Sequence, residues 1–284
     1  MATRSPNWSI EETTLALSLY VVTPYSRIRA DNPQIMALAK LIGRRPGAVS
    51  FKLANLASFD GKAKGKGFDH TSKNDSLVWN HYFDGRELSL PSLMDDAVTI
   101  ANKLPNPDLS LTDWLDPQSN EAPLSPSLLS QETLTDLLVT PEFSDEIKVI
   151  RTQRRSQGIF RQAVLANFNG ACAVTGCCIP SLIEAAHILP WADHPCERLK
   201  LSNGLALNPF LHAAYDDNLL GIDADGKIFV SDALLSNKGG NEKLLRHLRE
   251  INGTEIDFSK LRVQPNKDYL DDRFQTYRSF QLSR

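Results

Sequence analysis

A long acidic segment rich in proline divides the chain and limits what it can fold into. Residues 104–147 contain nine Asp or Glu residues, six prolines and no Lys or Arg. Dense like charge and proline oppose regular packing, which indicates a linker. We therefore predict a helical domain over residues 1–103, a linker over 104–146 and a second domain over 147–284. A chain of 284 residues is long enough for two domains that each bury a core.

The rest of the sequence favours a cytoplasmic protein that is not inserted in a membrane. No window approaches the roughly 18 apolar residues of a transmembrane helix, and the opening residues lack the apolar region of a signal peptide. The four cysteines lie within 25 residues of one another, and we expect them to be reduced thiols. The net charge of −3 neither favours nor excludes a nucleic-acid partner.

Residues 8–57 predict three helices with the spacing of a helix-turn-helix. A capping box, Ser9-x-x-Glu12, opens the first helix, the second stops at Gly43 and the third starts after Pro46. The stretch resembles three-helix DNA-binding units that begin with Trp and paired acids and end in GR-x-x-x-AV-x-x-x-L. That resemblance implies DNA contacts from polar residues of the turn and third helix: Arg44, Arg45, Ser50, Lys52 and Asn55. The alternative is that the helices only pack together or bind a protein.

The second domain predicts an α+β order of elements. A helix and a short strand (CAVTG) precede a second strand (SLIEAAHILP), a loop, a third strand (NGLALNP), a helix (FLHAAYDDNLL) and a hairpin at Asp225-Gly226. His187 then ends a strand, and His212 and Asp216 share one helix face because they are four residues apart. Such a histidine can take a proton from water while a divalent cation stabilises charge on phosphate. Asn203 is suited either to pin the loop or to ligate the metal.

The words FRQAVL, CAVTG, AAHILPW, NGLAL, LHAAYD and LLGID, with this spacing, resemble the HNH endonuclease family. The resemblance covers roughly residues 151–230 and extends to the bacterial HNH subgroup associated with restriction and defence nucleases. It implies a ββα-metal fold in which His187 is the general base, Asn203 orients the loop or the metal, and His212 is a metal ligand. It also implies a divalent metal ion, for which we expect Mg²⁺, with Mn²⁺ or another divalent ion as the alternative.

One position departs from the family pattern. Many HNH nucleases carry an Asp or His immediately before the general base, whereas this chain has Ala186. Glu184 and Asp216 are therefore the candidates for the remaining metal ligands. The four cysteines do not form the paired pattern of a zinc site, so we expect no structural zinc.

The helix that precedes the predicted ββα-metal unit carries several arginines, which have two interpretations. Arg154 and Arg155, with Arg151 and Arg161 nearby, could hold DNA phosphates through salt-sensitive contacts. They could equally form a solvated face that pairs with the acidic linker.

The sequence therefore predicts a metal-dependent DNA endonuclease of restriction or defence, with the helical domain choosing the target. One alternative is a non-catalytic DNA-binding regulator with a degenerate HNH unit, and another gives the helical domain a protein- or ligand-sensing role. We expect DNA as the partner, and a homodimer if both strands are cut.

Overall fold

The computed structural model describes residues 7–60, 71–85, 87–105, 114–115, 155–236 and 242–283. Within these ranges, no helix is long and apolar enough to span a membrane. Most of the predicted linker lies outside them. The domain boundaries drawn from the sequence therefore stay predictions.

Helices build the first part of the chain around a buried central helix. The capping box predicted at Ser9 and Glu12 is present, since each side chain accepts a hydrogen bond from the other residue's backbone N–H. The helix that follows is buried continuously from Thr13 to Val22. Every other helix of this part packs against it. The helices are α1 (Ile10–Val22), α2 (Pro33–Leu41), α3 (Pro46–Leu56), α4 (Lys73–Tyr82) and α5 (Leu90–Asn102).

A small hairpin lies within residues 1–103, for which the sequence predicts a helical domain. Strands β1 (Phe83–Asp84) and β2 (Glu87–Leu88) pair antiparallel between α4 and α5. Gly85 adopts φ +61°, a turn conformation that few other residues tolerate. The ring of Phe83 stacks on Trp79 with 4.1 Å between centroids, which anchors the hairpin on α4.

The second part combines short antiparallel strand pairs with helices. The predicted hairpin at Asp225-Gly226 is confirmed, with Gly226 at φ +89°. The strand predicted at CAVTG is wrong: Cys172 N–H donates to the carbonyl of Cys177, which closes a turn. The elements are α6 (155–167), β3 (Glu184–His187), β4 (Gly204–Leu207), α7 (Pro209–Asp216), β5 (Leu220–Ile222), β6 (Ile228–Val230), α8 (Asp232–Leu235), α9 (Glu242–Ile251) and α10 (Lys267–Leu282).

A buried ion pair joins the two parts. Arg262 Nε lies 3.2 Å from Asp60 Oδ2, and both side chains are less than a tenth exposed. Arg262 also donates to the backbone oxygens of Tyr20 and Val21 at the end of α1. The helical part and the second part therefore share core contacts.

Candidate active site

The site is a two-stranded sheet followed directly by a helix. Strands β3 and β4 pair so that His187 lies opposite Gly204. A Cβ at Gly204 would lie 2.4 Å from Val164 Cγ2, so the absence of a side chain lets α6 pack closely on the sheet. Asn208 then caps α7 by accepting from the N–H of Leu211. This ββα order places the histidines on adjacent elements.

Asn203 fastens the long loop between β3 and β4. Its side chain is fully buried, and its Oδ1 accepts a 2.8 Å hydrogen bond from the N–H of Leu189. Its Nδ2 donates to the carbonyls of Leu189 (3.3 Å) and Glu197 (3.2 Å). Both ends of the amide thus bind loop backbone. Of the two roles considered from the sequence, this arrangement favours pinning the loop over holding a metal ion.

His187 is oriented by an aromatic enclosure and by one backbone carbonyl. Its ring stacks on Phe160 at 4.3 Å and meets the edge of Trp191 at 5.3 Å. Its Nε2 lies 3.0 Å from the carbonyl oxygen of Arg198. A carbonyl only accepts, so Nε2 carries the proton and Nδ1 keeps its lone pair in the neutral ring. Burial lowers the pKa of His187 from its ordinary value, although the Arg198 contact opposes this.

His212 stands between two carboxylates. Its Nδ1 lies 2.6 Å from Glu184 Oε2 on β3, and its Nε2 lies 3.3 Å from Asp216 Oδ2 one turn further along α7. His212 and Asp216 are near enough to His187 to act on its pKa, in opposite directions. In the described part of the chain, no three His, Cys, Asp or Glu side chains converge on one metal position.

A cavity of ≈ 280 Å³ opens beside these groups. Both Glu184 and His187 contribute to its wall. The remaining lining comes from β3, α6 and the loop after β3: Gln157, Phe160, Arg161, Ala185 and Trp191. The aromatic residues Phe160 and Trp191 that contact His187 are not among the residues predicted from the sequence. Trp191, four residues after His187 in the motif AHILPW, is the sequence feature from which an aromatic contact to His187 could have been predicted.

Two of the five residues predicted to contact DNA from the helical part form ion pairs within it. Arg44 forms two 2.8 Å bonds to Glu12, and Lys52 Nζ lies 2.5 Å from buried Asp75. Arg45 is exposed at the start of α3, while Asn55 is half-buried. The charges of Arg44 and Lys52 are thus paired with protein carboxylates in the structure.

The predicted arginines of α6 differ in their surroundings. Arg155 donates to the carbonyl of Leu115 and lies 3.8 Å from Asp95, a carboxylate of α5. Arg154 lies outside the described residues. Arg161 is the member of this group on the cavity wall.

A model of the HNH endonuclease family matches residues 172–223, which confirms the resemblance found in the sequence. The matched segment contains β3, β4 and α7, and with them His187, Asn203, His212 and Asp216. The C-terminal part of the chain therefore holds an HNH endonuclease domain, which suggests nuclease activity. No curated protein matches the chain.

Proposed function

We propose that the protein is a metal-dependent endonuclease that hydrolyses phosphodiester bonds of DNA in restriction or defence. The observation that carries the proposal is the hydrogen bond from His187 Nε2 to the Arg198 carbonyl. It leaves Nδ1 as a proton acceptor on a ring that burial keeps neutral near pH 7. The HNH match over the same residues supports this choice of chemistry.

His187 acts as the general base in this proposal. Nδ1 takes a proton from water, the resulting hydroxide forms a bond to phosphorus, and the bond from phosphorus to the leaving oxygen breaks. Phe160 stacks on the imidazole ring and Trp191 contacts it in a T-shaped arrangement, which together hold its orientation. Asn203 supports this geometry indirectly, because it fixes the loop that carries the Arg198 carbonyl.

His212 and Asp216 would hold the divalent ion, and Glu184 would orient His212. The 2.6 Å contact to Glu184 is the length of a strong hydrogen bond, so Nδ1–H donates to that carboxylate and Nε2 keeps its lone pair. Nε2 and Asp216 Oδ2, 3.3 Å apart, then supply a nitrogen and an oxygen on one side. A histidine ligand commonly donates its other N–H to a carboxylate in this way.

A site with only two protein ligands suits Mg²⁺ or Mn²⁺ better than an ion whose ligands all come from the protein. Mg²⁺ usually keeps several waters and binds one or two carboxylates together with substrate phosphate oxygens. The ion would stabilise negative charge on the phosphate and on the leaving oxygen. This proposal departs from the sequence expectation in one respect, because Glu184 orients a ligand instead of binding the metal.

The helical part serves target binding in this proposal. Helices α2 and α3 are joined by a four-residue turn with Gly43 at φ +67°, which is the order of a helix-turn-helix. Arg45, which is exposed on the turn, and Asn55, which is half-buried on α3, are proposed to contact DNA. Arg154 and Arg155, which precede the nuclease site in the chain, are proposed to do the same. Arg44 and Lys52 instead stabilise the unit.

Plasmid nicking tests the function. Supercoiled DNA incubated with the full chain and Mg²⁺ or Mn²⁺ should become nicked, and EDTA should stop the reaction. His187→Ala should reduce the nicking rate about 10²- to 10⁴-fold with little change in DNA affinity. His247→Ala, which removes an exposed histidine on α9, is the matched control and should cut like the parent.

A non-catalytic DNA-binding regulator is the second candidate. It is favoured by the observation that both ring nitrogens of His212 already face carboxylates of the protein. Such a protein would shift DNA on a gel and leave plasmid intact at every metal concentration. Nicking that His187→Ala abolishes would exclude it.

A further inference from the structure

A positively charged side chain, that of Arg161, lies on the wall of the cavity beside Glu184 and His187. Arg161, on α6, is the only Lys or Arg among the described residues that line this cavity. Its Nη2 donates to the carbonyl of Ile183 at 2.6 Å and to that of Pro180 at 3.3 Å. These oxygens belong to the segment that leads into β3, so they hold the guanidinium at a fixed place relative to the strand that ends in His187.

The charge of Arg161 is not neutralised by a protein carboxylate in the described part of the chain. Its contacts are the two carbonyls, and Glu184, the nearby acid of the same cavity, is engaged by His212. Nε and Nη1 have no hydrogen-bond partner among the described residues. A positioned guanidinium with unused donors in a cavity beside a general base suits an anion with several oxygens.

We propose that Arg161 binds a non-bridging oxygen of the scissile phosphate and stabilises the charge that builds there during attack. The inference rests on the proposed function, since it assigns a substrate-binding residue to that same site. Arg161 differs from Arg155 in this role, because Arg155 on the same helix points to Leu115 and Asp95. The carbonyls that hold Nη2 preorganise the donors before substrate arrives, which is what makes such donors effective.

Two variants of Arg161 separate charge from geometry. Arg161→Gln removes the charge, and we expect the single-turnover nicking rate to fall about 10²- to 10³-fold, as for loss of one transition-state donor. Arg161→Lys keeps the charge without the planar fork and should lose less. Arg278→Gln, which removes an exposed arginine on α10, is the control and should cut at the parent rate. Circular dichroism and thermal melting confirm that each variant is folded.

Salt dependence supplies a readout that a purely structural role would not move. In a His187→Ala background without metal, the slope of log affinity against log salt concentration should become shallower by about 0.9 with Arg161→Gln, the value of one phosphate contact. The slope should not change with Arg278→Gln.

The outcomes distinguish the inference from the function on which it rests. Normal cutting by folded Arg161→Gln, or a reduced rate with an unchanged salt slope, overturns the assignment of Arg161 alone. A parent protein that binds DNA but never nicks it overturns the proposed function, and with it the role of Arg161 in catalysis. Reduced cutting together with the shallower slope supports both.

Discussion

The Nε2 atom of His187, at the end of β3, lies 3.0 Å from the carbonyl oxygen of Arg198, eleven residues further along the chain in the loop that follows. This single contact decides which ring nitrogen can accept a proton, because a carbonyl oxygen requires a donor opposite it. The remaining acceptor, Nδ1, belongs to a ring whose charged form is disfavoured by burial between Phe160 and Trp191. The loop therefore sets the tautomer of the proposed base, while burial disfavours its charged form.

The acid limb of the pH–rate profile should report the burial of His187. Protonated imidazole cannot accept a proton, so the nicking rate falls as the pH drops through the pKa of this group. Burial lowers that pKa, and the half-maximal rate should lie below pH 6.5, the ordinary value. Single-turnover rates between about pH 5 and 8 at saturating metal provide the measurement. Trp191→Ala should expose the ring and move the limb upwards, and a parent limb at or above pH 6.5 would contradict the prediction.

Asn203→Ala should destabilise the protein through the loop. The change leaves the N–H and the carbonyl of Leu189 without their partner in a buried place, which costs roughly 2–4 kcal/mol in the free energy of unfolding. Urea denaturation measures the loss. Asn203→Asp is the informative companion, because it can still accept from Leu189 but cannot donate. If the aspartate variant were stable and needed less metal for cutting, Asn203 would be a metal ligand and not a residue that stabilises the loop.

The sequence predicted the local elements of this site better than their exact contacts. Spacing placed His212 and Asp216 on one helix face, and the words around His187 placed it on a strand. The hydrogen bond from His187 is accepted by the backbone carbonyl of Arg198, and every residue has such a carbonyl. No pattern of residue types could therefore predict this contact. The same limit explains Arg44 and Lys52, which look like free cations in a helix-turn-helix until Glu12 and Asp75 are seen beside them.

The buried pair of Arg262 and Asp60 predicts that a cut linker will not release two separate pieces. Proline and acidic charge in residues 104–146 predict protease cleavage there. The two fragments should nevertheless elute together in size-exclusion chromatography, because the shared core contacts include this ion pair. Arg262→Leu removes the cation that faces Asp60 and should let the fragments separate, since an unbalanced buried charge costs about 3–5 kcal/mol. Separation of the parent fragments would show that the contact is too weak to hold them.

Ala186→Asp should destabilise the protein and leave metal binding no tighter. Many relatives have an acid at this position, but Ala186 is fully buried on β3 opposite Leu205. A carboxylate there would lose its hydration without a partner, which costs several kcal/mol, roughly 3 or more. Thermal melting measures the loss, and Ala186→Val separates the cost of volume from that of charge. A stable aspartate variant with a lower metal requirement would place the ion near Ala186.

Asp216 and Glu184 should respond differently when each loses its charge. In the proposed site Asp216 binds the ion, so Asp216→Asn should raise the Mg²⁺ or Mn²⁺ concentration for half-maximal nicking about tenfold or more, with recovery at high metal. Glu184→Gln keeps an oxygen that can accept from His212 Nδ1, so its metal requirement should rise far less. Loss of a carboxylate that orients a histidine ligand typically weakens metal binding or activity about 10- to 100-fold, which makes Glu184→Ala the control for loss of the contact. A larger shift for Glu184→Gln than for Asp216→Asn would exchange the two roles and put the ion on the Nδ1 side of His212.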